Sequence, residues 1–93
     1  GGLMTALIDI LQKEKNIISE IKQLGSSRQR SYEAIEWYRA NAFEDGGVGP
    51  FLITNRFEEI KKLNKEIDTH CLTLKAVRKE ILEYFESIKE ETE

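Results

Sequence analysis

Two apolar series, each stepping alternately by three and four residues, flank one glycine-rich break, and no other feature constrains the fold so tightly. The first runs Leu7, Ile10, Ile17, Ile21, Leu24, Ile35 and Tyr38. The second runs Phe57, Ile60, Ile67, Cys71, Leu74, Ile81, Phe85 and Ile88. Between them lies Glu44-Asp45-Gly46-Gly47-Val48-Gly49-Pro50. Such spacing puts each series on one stripe of an α-helix. The glycines of the break have too much backbone entropy to lose, and the proline has no N–H to donate, so no helix runs through it. Two amphipathic helices joined by a breaker fold back on each other. The predicted fold is all-α, a long antiparallel helical hairpin.

The chain has 93 residues, enough for one domain. Helix one is expected over about residues 4–43, a connection over 44–52 and helix two over about 53–90. Thr5 is a candidate N-terminal cap, with Asp9 favouring the positive end of the helix dipole. Pro50 suits a first helical position, and Thr54 or Asn55 are the alternative caps, Asn55 completing a capping box with Glu58. Gly25-Ser26-Ser27 is a possible bend or break. The heptad register nevertheless continues unbroken from Leu24 to Ile35, which favours a continuous helix. A helical Gly25 costs about 1 kcal/mol relative to alanine.

Several apolar residues lie off the stripes. Ile8, Leu11 and Ile18 widen the first stripe, and Leu63, Leu72, Val77, Leu82 and Tyr84 widen the second. One hairpin covers only one seam per helix, and faces this broad call for further helices. Dimerisation into a four-helix bundle, or docking onto a helical protein partner, would supply them.

Polar residues interrupt both stripes: Glu14, Arg28 and Ser31 in the first, Asn64 and Arg78 in the second. Folding about the middle of the break places Glu14 near Ile81 and within a turn of Arg78. It places Ser31 opposite Asn64 and Arg28 near Ile67. Buried polar groups on a helical seam lower stability but disfavour slipped pairings, so these five are read as register-setting. An anionic-ligand pocket would need Glu14, Arg28, Asn64 and Arg78 to converge.

Little else in the chain carries chemistry. His70 and Cys71 are neighbours and point about 100° apart on a helix. No second histidine or cysteine accompanies them, so neither a Cys–His pair nor a zinc site is indicated. Cys71 is expected as a small core residue and His70 on the flank. Gly46-Gly47-Val48-Gly49 lacks the Gly-Lys-Ser/Thr ending of a phosphate loop. No catalytic, cofactor-binding or metal residues are assigned, and the chain is read as a non-enzyme without a cofactor.

Aromatic residues gather toward the break: Tyr32, Trp37, Tyr38, Phe43, Phe51 and Phe57. With Arg39 and Arg56 beside them, Trp37, Tyr38, Phe43 and Phe51 form a candidate partner-binding patch, because tryptophan, tyrosine and arginine are favoured at interface hot spots. Lys22, Arg28, Arg30, Lys61, Lys62 and Lys65 are interleaved with Glu20, Glu58, Glu59 and Glu66. That is a solvated face with pairs such as Glu58–Lys62 rather than a basic stripe.

The net charge of −3 argues against a dedicated nucleic-acid binder. One cysteine excludes an internal disulfide, and a reducing compartment is the expectation. No run of about 20 apolar residues is present, so no membrane span is expected. Gly1-Gly2 reads as an appended pair ahead of a native start at Met4, and the first residues lack a signal peptide's basic lead. The expected location is the cytoplasm.

In length and in its two helices with a glycine-bearing turn, the chain resembles the small Trp-x-Gly hairpins exported by type VII secretion. That family carries Trp-x-Gly in its turn and Tyr-x-x-x-Asp/Glu near its C-terminus. Here Trp37 lies well before Gly46, and Tyr84 is followed four residues later by Ile88. The shape is equally similar to small helical chaperones, phage-encoded bundle proteins and RNA-binding four-helix dimers. The expected function is a non-enzymatic protein–protein interaction module, a small adaptor, chaperone or assembly protein. The alternatives are a small nucleic-acid-binding four-helix-bundle regulator and, after it, a secreted hairpin of the type VII kind.

Overall fold

A computed structural model of the chain describes residues 2–41 and 49–92, including every side chain of these but Leu3, Glu91 and Thr92. They form two α-helices and no strand: α1, Gly2–Ala40, and α2, Gly49–Thr92. The helices pack as a hairpin. Residues grouping most densely fall into two compact units, Gly1–Ile21 with Thr69–Glu93, and Lys22–Asp68. The first is called the terminal unit and the second the loop-side unit.

α1 is continuous through Gly25. Its C-terminal end is closed by Asn41, whose backbone N–H donates to the Trp37 carbonyl at 3.0 Å and whose Nδ2 donates to it at 2.8 Å. This satisfies a carbonyl that the end of a helix leaves without a partner. α2 begins four residues earlier than expected, at Gly49, so Pro50, Phe51 and Leu52 are helical rather than part of the connection. Pro50 sits in the first turn, where a missing N–H costs nothing. Thr54 is therefore inside the helix, and its hydroxyl donates back to the Pro50 carbonyl at 3.0 Å instead of capping. The expected connection 44–52 is shortened at its second end, and residues 42–48 lie outside the described residues.

Ending α1 at Ala40 and starting α2 at Gly49 moves the fold-back point toward α1. Facing layers shift accordingly by about a turn along α2. In the loop-side unit Ser31 meets Glu59 rather than Asn64, and Arg28 meets Asn64 rather than the level of Ile67. In the terminal unit Glu14 meets Arg78, and Glu20 meets His70. Within each unit rising numbers on α1 meet falling numbers on α2, as an antiparallel pair requires.

The α1 seam occupies the expected positions: Leu7, Ile10, Glu14, Ile17, Ile21, Leu24, Arg28, Ser31, Ile35 and Tyr38 are all buried or half-buried. The α2 seam is rotated. Ile60, Ile67, Leu74, Ile81 and Ile88 face inward as expected. Their seam companions are Arg56, Leu63, His70, Val77 and Tyr84, each one residue before the expected Phe57, Asn64, Cys71, Arg78 and Phe85. Cys71 is exposed, a correction to its expected core position, and His70 turns inward in its place. Phe57 and Phe85 are also exposed, while Val77 is among the most deeply buried side chains. Either neighbour of the shared positions sits on a three-four stripe, and both sets contain apolar residues. Packing decides between them. The inner set puts the compact Val77 deepest and keeps Arg56 and His70 where Glu59 and Glu20 reach them.

Among the described residues the buried apolar core is small. Ile17 and Val77 supply it in the terminal unit, Ile35 and Ile60 in the loop-side unit.

Candidate interaction surface

In the loop-side unit the seam holds a polar cluster. Ser31, only 1% exposed, donates its hydroxyl to Glu59 Oε2 at 3.0 Å. Arg56 Nη1 donates to the same oxygen at 3.0 Å. These two hydrogen bonds, Ser31 first and Arg56 second, hold the Glu59 carboxyl below its ordinary pKa, because both favour the charged form. The Arg56 guanidinium is held above its ordinary value by Glu59 and, more weakly, by Tyr38. One helical layer further along, Arg28 Nη1 donates to Asn64 Oδ1 at 2.9 Å, and both side chains are half-buried.

In the terminal unit Arg78 Nε donates to Glu14 Oε2 at 3.1 Å. Glu14 is largely covered, whereas Arg78 is mostly exposed. His70 Nε2 lies 2.8 Å from Glu20 Oε2. The five seam residues Glu14, Arg28, Ser31, Asn64 and Arg78 thus sort into cross-helix pairs. Arg28 with Asn64 and Ser31 with Glu59 belong to one unit, and Glu14 with Arg78 to the other.

The aromatic patch is partly assembled. Trp37 is 59% exposed, and its ring stands edge-on to Tyr38 with centroids 5.6 Å apart. Tyr38 is half-buried and lines an open groove of about 570 Å³ with Leu52, Asn55 and Arg56. Arg39 is exposed, as is Phe51. Phe43 lies outside the described residues.

A broader apolar surface stands on the terminal unit. Met4, Ile8 and Leu11 of α1 are 64%, 60% and 41% exposed. Leu72, Leu82 and Phe85 of α2 are 69%, 60% and 50% exposed. Leu11 and half-buried Ile18 follow the inner positions Ile10 and Ile17 of α1, and Met4 lies seven residues before Leu11; Cys71, Arg78 and Phe85 likewise follow His70, Val77 and Tyr84 in α2. In an antiparallel pair the positions just after the second seam residue of each heptad lie on one and the same flank. The opposite flank carries Lys13, Glu20, Thr73 and Glu80. The unit is therefore apolar on one side and polar on the other. Sequence reading found the width of the stripes but took Phe85 for core and overlooked Met4. The signal was present as the seven-residue step from Met4 to Leu11 to Ile18.

Among the described residues no group of three or more His, Cys, Asp or Glu side chains is placed to hold a metal ion. None of the described helices is long and apolar enough to cross a membrane. No protein-family model, curated protein or solved structure matches this chain.

Proposed function

We propose that the chain is a non-enzymatic interaction module that docks another amphipathic helix pair against the apolar flank of its terminal unit. The observation that carries this reading is the flank itself: Met4, Ile8, Leu11, Leu82 and Phe85, all exposed on two antiparallel helices. Contiguous apolar surface of this kind, rimmed by charge, is costly in water and is characteristic of interaction sites. The area agrees. The chain exposes 7199 Å². A compact monomer of 10.8 kDa would expose about 5,500 Å². The excess, about 1,700 Å² on one chain, corresponds to about 3,400 Å² counted over two partners, the size of an obligate interface rather than a transient one. The patch of Trp37, Tyr38, Arg39 and Phe51, with Arg56 beneath it, is a secondary contact surface in this reading.

A nucleic-acid-binding bundle is less well supported, because Lys61 is already 3.6 Å from Glu58 and Arg56 is bonded to Glu59. The type VII likeness rests on the hairpin shape alone.

The test is capture by an immobilised chain, offered both a native lysate and untagged copies of itself. A helical protein held by the wild type and released when Ile8→Asp or Leu82→Asp is used as bait is the expected result. Retention of nothing, or equal retention by the aspartate variants, overturns the reading. Far-ultraviolet circular dichroism checks that the variants stay helical.

A further inference from the structure

Resting on the interaction reading above, we infer that the partner is a second copy of this chain, bound about a two-fold axis so that the two α2 helices run antiparallel across Leu82 with Lys79 of each copy facing Glu86 of the other.

Three observations on the terminal unit carry this. The first is the position of the apolar residues. The Glu14–Arg78 pair sets the local level of the two helices. One to two turns from it toward the chain ends, Leu11 and Ile8 on α1 stand level with Leu82 and Phe85 on α2, and Met4 lies about a turn beyond. These exposed apolar residues form one patch contributed by both helices, as a self-complementary interface requires.

The second is the order of charges along α2. On the outer face Lys75, Arg78 and Lys79 precede Leu82, and Glu86 and Lys89 follow it, all exposed. A two-fold axis passing beside Leu82 exchanges the two sides. Arg78 and Lys79 then meet Glu86 of the second copy, while Lys75 and Lys89 stand at the rim, about two turns from the axis. A parallel arrangement would set Lys79 against Lys79 and Glu86 against Glu86, which is repulsive. Charge order of this kind selects orientation and register between helices.

The third is the surface that carries the basic residues. Leu72, Lys75, Ala76, Arg78, Lys79 and Leu82 line an open, shallow groove of about 520 Å³ on α2. Its floor is aliphatic, including the stems of the lysines, and it suits the edge of another helix. The excess surface already noted matches what a stable dimer buries.

The experiment is a charge exchange within one chain. Lys79→Glu and Glu86→Lys are made singly and together, and self-association is followed by sedimentation equilibrium and native mass spectrometry. Wild type is expected to dimerise reversibly. Each single variant is expected to weaken the dimer about tenfold, since two symmetry-related pairs turn repulsive. The double variant keeps the net charge, and its dimer is expected to return to within about threefold of wild type. Mixed with wild type, it is expected to sort into two homodimers, because in a mixed pair lysine would face lysine and glutamate would face glutamate.

A wild type that stays monomeric from micromolar to millimolar concentration overturns the proposal. So does a double variant that stays weak, or a mixture that prefers the heterodimer. If any of these occurs while Ile8-dependent capture of another helical protein persists, the second copy falls as partner and the interaction module stands. If that capture is also absent, both readings fall together.

Discussion

Gly25 stands in the middle of a 39-residue helix with no atom within 4 Å of where a β-carbon would lie. Its backbone entropy is lost there without any steric need for glycine. Gly25→Ala should stabilise the protein by about 1 kcal/mol and raise Tm by several degrees in a thermal melt. Glu59 makes a pH-dependent contribution. Its folded-state pKa lies below the ordinary value because Ser31 and Arg56 bond the charged form. The resulting stability is therefore present above the unfolded-state pKa and is lost as pH falls through the folded one. The Tm difference between wild type and Glu59→Gln should be full at neutral pH and vanish in acid below the carboxylate range. A difference that persists unchanged into acid would show that Glu59 acts by packing alone. Ser31 and Glu14 were recognisable in the sequence as polar interruptions of a stripe. Glu59 was not, because it lies beside the stripe and acquires its role only through the residue it faces.

At the scale of elements, the two helices differ in how far they could be read. α1 offers one apolar stripe, and its inner positions follow directly from the three-four spacing. α2 offers two overlapping stripes sharing Ile60, Ile67, Leu74, Ile81 and Ile88. Phe57, Cys71 and Phe85 flank these on one side, Leu63, Val77 and Tyr84 on the other. Periodicity cannot separate two stripes a single residue apart, since that is a rotation of only about 100° about a shared edge. The rotation has a measurable consequence. Val77→Ala should cost about 2 kcal/mol in chemical denaturation, as loss of a buried side chain does. Cys71→Ser should change stability by less than about 0.5 kcal/mol, as an exposed substitution does. The reverse ranking would restore the seam through Cys71. The helix ends carry the same lesson. Pro50 was compatible with two starting points for α2, and the earlier start moved every facing layer by about a turn.

For the molecule as a whole, surface and core are out of proportion. Among the described residues four apolar side chains are buried, Ile17, Ile35, Ile60 and Val77, while ten large apolar residues stand exposed. On the self-association proposed above, a second copy covers part of the remainder. Binding to the folded state raises apparent stability by mass action. Tm should therefore climb with protein concentration between about 10 μM and 1 mM, and Leu82→Asp should abolish that climb. A Tm independent of concentration in the wild type would count against the second copy as partner. The sequence by itself determined the helices, the break that folds them back and the breadth of their apolar faces, because helical periodicity and glycine-proline chemistry are local. Only the tertiary structure decided which of two adjacent stripes of α2 turns inward, which residues meet across the pair, and which apolar side chains are left outside. Those outcomes depend on side chains fitting against a second helix, and that fit is written in neither helix alone.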